Sequence, residues 1–197
     1  MKLATIDRPD GPAAAVSVSE TEVAVLSSQF VDVESVVRVS ETDRLAAVSD
    51  ALRTGDRLPV AELSWLPPVL RPGKVLCVAL NNSAHPDRIL SGPDTPALFL
   101  QPSSSLVGHG QPIRLRADDG RVHPEPELAV VIGRAGSDIT PEAALSHVFG
   151  YSILNDITSP TLREADTIHY RAVHPDPARA AAGTSWIPSN IVDSEHR

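Results

Sequence analysis

The sequence predicts an α+β fold that is mainly β, with a small N-terminal lobe ahead of a larger domain. Three observations carry this. Short runs of alternating apolar and polar residues recur through the first 39 positions. A stiff segment, Leu66-Pro67-Pro68-Val69-Leu70-Arg71-Pro72-Gly73, then interrupts the chain. Beyond it lie several β-prone apolar runs, with only brief helix signals between them.

In the first stretch, Leu3-Ala4-Thr5-Ile6, Ala14-Ala15-Val16-Ser17-Val18 and Glu22-Val23-Ala24-Val25-Leu26 alternate with period two between Gly and Pro punctuation. That pattern predicts short antiparallel strands. Ser40-Glu41-Thr42-Asp43 opens a helix whose apolar face is Leu45, Val48 and Leu52, with Gly55 as its stop. The proline-rich connector sets the boundary between a lobe over 1–66 and a domain over 71–197.

In the larger domain, Lys74 to Leu80 has few polar interruptions and predicts a buried strand. Ala97-Leu98-Phe99-Leu100 and Pro112-Ile113-Arg114-Leu115 predict further strands around the turn Pro102-Ser103-Ser104-Ser105. Glu127 to Gly133 is the strongest strand signal. Thr140-Pro141-Glu142 starts a short helix ending near His147, with a hydroxyl cap and proline in the first turn. Val148 to Asn155 returns to strand. From Arg163 onward the periodicity weakens, and a loop, a lid or a poorly ordered tail are all compatible with it.

Composition narrows the function classes. Hydrophobic residues make up 42% and charged residues 21%, in the range of an ordinary globular domain. The net charge of −8, with no Lys/Arg cluster, argues against nucleic acid as a partner. No apolar run approaches the length of a membrane span, and the N-terminus lacks a secretory apolar core. Cys77 is the single cysteine, which suits a reducing compartment, so a cytoplasmic location is expected.

The residues that carry chemistry are carboxylates. Glu125 and Glu127 are two apart, so an extended chain points both to one face. Pro124 and Pro126 stiffen that segment and place it at a sheet edge or a strand start, because proline donates nothing to a ladder. Asp156 closes the run Phe149 to Asn155 and is placed at a strand end. Three carboxylates suit a hard cation, Mg²⁺ or else Mn²⁺ or Ca²⁺. Such a cation would act as a Lewis acid on an enolate-forming carbonyl. By spacing alone, a solvated Glu-x-Glu face and a turn- or helix-capping Asp156 are the commoner readings. His109 and His123 are further ligand candidates, and His123 shares the strand face of Glu125.

Four ordered blocks decide between those readings. Arg71 to Asn81, Pro96 to Leu106, Glu125-Pro126-Glu127-Leu128-Ala129-Val130-Val131-Ile132-Gly133-Arg134, and Val148 to Thr158 resemble successive blocks of the fumarylacetoacetate hydrolase family. The resemblance implies a mixed β-sandwich-like roll that commonly dimerises, preceded by a variable N-terminal lobe. It implies metal ligation by Glu125, Glu127 and Asp156, and a small oxo-acid substrate. C–C cleavage, decarboxylation or isomerisation of a 2-oxo or β-dicarbonyl acid through an enolate is then the expected activity. His85 matches the family's proton-transferring His, Asp87 is the candidate to assist it, and Gln101 stands where a Lys is common. Gln101 could meet a substrate carbonyl or cap the Ser-rich turn.

Departures from the family pattern open two alternatives, a non-catalytic ligand- or partner-binding member and a specialised cyclase or dehydratase. Asn82 replaces a frequent Tyr, and Arg88 replaces the Glu that usually pairs with the His. No Lys follows Asp156. The chain is also short for the family, which predicts that a second copy covers an open sheet edge, as a homodimer.

Overall fold

A computed structural model describes residues 1–79, 96–115, 119–161, 185–186 and 192–193. Its architecture is α+β and mainly β. Strands β1 (Lys2–Asp7), β2 (Ala13–Ser17) and β3 (Glu22–Val25) are followed by helices α1 (Val33–Val37) and α2 (Glu41–Thr54). Short strands β4 (Arg57–Pro59) and β5 (Ser64–Leu66) come next. A hairpin of β6 (Val75–Ala79) and β7 (Ala97–Gln101) precedes the long pair β8 (His123–Ile132) and β9 (Val148–Thr158). Helix α3 (Pro141–Ala144) joins that pair, and β10 (Ser185–Trp186) and β11 (Val192–Asp193) complete the described strands.

The N-terminal strands form as the alternation predicts, because both of their faces find cover. Leu3, Ala14, Val16 and Ala24 pack with Val33, Val36, Val48 and Ala51 of the helices. Ala4, Ile6, Ala15, Val23 and Val25 pack on the other face around Trp65. Helix α2 begins on Ser40, whose hydroxyl accepts from the Asp43 amide, and ends at Gly55. Its buried face is Val48 and Ala51, whereas Leu45 and Leu52 are exposed. The predicted stripe is therefore rotated. Small Ala51 lets the helix lie close to the sheet, which the larger leucines would prevent. Helix α1 forms in a stretch read from sequence as strand. A reciprocal cap accounts for it, with the Asp32 carboxylate accepting from the Ser35 amide and the Ser35 hydroxyl facing the Asp32 amide.

The nine-stranded sheet runs through the predicted lobe boundary without a break. Lys2 and Leu3 of β1 pair with β11, and Asp193 of β11 pairs with Tyr151 of β9. Phe149 of β9 enters the N-terminal core, and the Arg44 guanidinium lies 4.6 Å from its ring centroid. The connector is also tied down. The Thr5 hydroxyl donates to the Pro68 carbonyl, and the Val33 amide donates to the same oxygen. Gly108 is needed where the loop after β7 crosses β5, since a Cβ there would fall 1.8 Å from the Trp65 carbonyl oxygen.

Strand β8 pairs only with β9 among the described residues, so Pro124 and Pro126 do sit on an edge. Two expectations change. Residues Pro112 to Leu115 form no strand. Strand β6 is not buried but alternates, with Leu76 and Val78 exposed, because its two-stranded sheet is covered on one face only. No helix among the described residues is long and apolar enough to cross a membrane.

Candidate metal centre

The antiparallel register of β8 and β9 builds the site. Glu125 lies directly opposite Asp156, His123 opposite Thr158, and Glu127 opposite Leu154. Residues opposite each other share a face, and so do i and i+2. His123, Glu125 and Glu127 therefore project to the same side as Leu154, Asp156 and Thr158. Burial agrees: this is the less exposed side of β8, and Asp156 is only 6% exposed. Asp156 does not end its strand, as the sequence suggested. Strand β9 continues to Thr158, so the carboxylate is held inside a ladder rather than in a turn.

The β6–β7 hairpin covers this face. Val75 packs against Leu154 and Ala129 with Leu106. Gln101, at the end of β7 and 5% exposed, donates from Nε2 to Asp156 Oδ1 at 2.8 Å. Its side chain thus serves the aspartate. Glu125 is held at both oxygens: His123 Nε2 lies 2.7 Å from Oε1, and the Thr158 hydroxyl donates to Oε2 at 3.3 Å. Thr158 was not singled out from sequence, although strand alternation from Asp156 would have found it.

The electrostatics show what the arrangement costs. Burial raises the Asp156 pKa, the Gln101 hydrogen bond lowers it, and the Glu125 charge raises it again. The Cys77 thiol is pushed up to about 12, first by burial and then by the charges of Asp156 and Glu127. Cys77 is therefore beside the carboxylates, on the covered face of β6, rather than in an inert apolar strand.

Among the described residues, no three of the His, Cys, Asp and Glu side chains are placed to hold one ion together. Glu125 is engaged by His123 and Asp156 by Gln101. The donor set nevertheless fits a hard divalent cation. Three oxygen-donor carboxylates share one partly covered face, the Glu125 charge raises the Asp156 pKa, and a cation would relieve that repulsion. His109 lies in the loop after β7 and joins no such group. His85 and Asp87, with Asn82 and Arg88, lie outside the described residues.

The profile of the Fumarylacetoacetate (FAA) hydrolase C-terminal family matches residues 74–193, which contain all three carboxylates. The chain belongs to the fumarylacetoacetate hydrolase family. It is 38% identical over 114 residues to Protein Rv2993c of Mycobacterium tuberculosis, covering 57% of this chain and 43% of that protein. It is 37% identical over 103 residues to the mitochondrial oxaloacetate tautomerase FAHD2A of Homo sapiens, covering 52% of this chain and 33% of that protein. These matches span less than half the length of either relative. A similar solved structure is maleylpyruvate hydrolase from Sphingobium sp. SYK-6, in complex with manganese(II) and pyruvate. It aligns with a TM-score of 0.72 and 25% identity over 99% of this chain and 67% of that one. The fold is thus of the fumarylacetoacetate hydrolase type.

Proposed function

We propose that the chain binds a divalent cation through Glu125, Glu127 and Asp156 and acts on a small 2-oxo or β-dicarbonyl acid. The reaction class is C–C cleavage, decarboxylation or isomerisation. The observation that carries this is the cross-strand pair Glu125–Asp156 with Glu127 on the same face, in a chain of this family. Relatives with tautomerase and hydrolase names, one of them solved with manganese(II), support the reaction class and the cation. Bound there, Mg²⁺ or Mn²⁺ supplies Lewis acidity toward the oxygens of a chelating acid. The chain's own part is to present the carboxylates at low dielectric under the β6–β7 hairpin, which excludes bulk water from Asp156. Gln101 holds Asp156, and His85, assisted by Asp87, is assigned the proton transfer by family position.

Thermal unfolding with and without Mn²⁺ tests the metal. At 100 times Kd, binding to the folded state stabilises by about 2.7 kcal/mol, and Glu127→Ala is expected to abolish the shift. No shift in the wild-type chain would end this reading. Turnover of oxaloacetate and acylpyruvates, lost in His85→Ala, tests the chemistry. Metal binding with no turnover of any diketo acid would favour the non-catalytic reading, for which Gln101 on Asp156 is the supporting contact.

We further propose a second copy of the chain as partner and the cytoplasm as location. The outer face of β8–β9 exposes Leu128 at 68% and Ile132 at 61%, beside Val130 and Ile153. Contiguous apolar surface of this kind marks an interface. A monomer by light scattering at micromolar concentration would overturn the homodimer.

A further inference from the structure

Both oxygens of Glu125 are already engaged, and by residues that face each other across the β8–β9 ladder. His123 and Thr158 are cross-strand partners, one register step from the pair Glu125 and Asp156. A carboxylate only accepts, so at 2.7 Å the imidazole donates its Nε2–H to Oε1. The Thr158 hydroxyl reaches Oε2 at 3.3 Å, a longer and weaker contact. Asp156 is treated alike on its side of the ladder, where Gln101 takes Oδ1. Each carboxylate of the directly opposed pair therefore has a donor of its own, contributed by a residue that is not one of the three carboxylates.

We propose that His123 is the positioning residue of Glu125: by donating to Oε1 it holds the carboxylate on the shared face for the cation. This deepens the metal reading and rests on it. A glutamate side chain has three rotatable bonds that must be ordered when it ligates, and a donor that orders them beforehand lowers that cost. Thr158 limits rotation of the same carboxylate from the opposite strand, and His123 carries the larger share because its contact is shorter.

The test is Mn²⁺ affinity by calorimetry, with pulsed electron paramagnetic resonance of the bound ion, on metal-stripped full chain. His123→Ala is expected to weaken binding about 10- to 100-fold. His123→Gln keeps an N–H donor and is expected to return affinity to within a few-fold of wild type. Thr158→Val is expected to cost less than His123→Ala. Should His123→Ala fail to fold, His123→Leu fills the volume and carries the same comparison. The wild-type spectrum is expected to lack a directly coordinated nitrogen. Unchanged affinity in His123→Ala, or in His123→Leu where that stands in for it, overturns the proposal, and so does a coordinated-nitrogen signal, which would make His123 a ligand. Failure of the metal reading itself is distinguishable, because it appears as no Mn²⁺ uptake by the wild-type chain.

Discussion

The two halves of the large sheet use their side chains in opposite ways. Around β1–β3, both faces are apolar and both are covered, one by α1 and α2 and the other by the Trp65 region. Leu3, Ile6, Val33 and Val36 have no accessible surface. Along β8 the apolar residues Leu128, Val130 and Ile132 point outward, and the inner face holds His123, Glu125 and Glu127. One half spends its hydrophobic surface on its own stability. The other turns polar groups inward, where they cost folding energy and form the proposed cation site, and leaves its apolar face exposed.

Truncating one leucine in each half tests that contrast most strongly. Leu3→Ala removes a fully buried side chain and is expected to destabilise by roughly 2–5 kcal/mol in chemical denaturation. Leu128→Ala, on the outer face of β8, is expected to stay within about 0.5 kcal/mol for the isolated chain. A Leu128→Ala cost that matched Leu3→Ala and grew with protein concentration would mean that a second copy buries the outer face too. A cost for Leu3→Ala near zero would break the comparison outright.

Charge on the inner face gives a smaller effect with a defined sign. The Asp156 pKa is raised in the fold above its ordinary value of 3.8, so the native state binds that proton more tightly than the unfolded chain. Ionised Asp156 therefore destabilises the metal-free fold. That penalty is complete above the raised pKa, shrinks as pH falls through it, and is gone below 3.8. With chelator present, Asp156→Asn is expected to raise the melting temperature at neutral pH and to lose its advantage in acid. Added Mn²⁺ is expected to reverse the order, because the variant lacks one of the three proposed ligands. A variant less stable than wild type under chelator would show that the Asp156 carboxylate is favourable where it stands.

Local signals made the N-terminal half legible. Period-two runs marked β1 to β3, and Ser40 with Gly55 bracketed α2, since caps and alternation act over a few residues. Helix α1 was missed because its five residues, Val33 to Val37, are mostly β-branched valines, and only the Asp32/Ser35 cap signalled a helix. In the other half the Glu-x-Glu face was legible from spacing. Its opposition to Asp156 is a pairing across 31 positions that no local pattern encodes, and the family resemblance implied only that the three carboxylates share a metal. Which face of β8 would be covered was illegible for a related reason. An apolar run from Leu128 to Ile132 reads the same whichever side turns inward.

Cys77 reports on the covering of that inner face. Its thiol is pushed up from its ordinary 9.0 to about 12, with burial on the covered face of the β6–β7 hairpin as the leading cause and the Asp156 and Glu127 charges behind it. The thiolate is the reacting species, so at pH 8 alkylation by iodoacetamide is expected to run about three orders of magnitude slower than for an ordinary thiol. Asp156→Asn removes only the second cause and is expected to raise the rate a few-fold at most. A large acceleration in that variant would make charge, not burial, the dominant influence. An ordinary rate in the wild-type chain would mean that the hairpin opens readily, and the inner face would then be as accessible to solvent as the outer one.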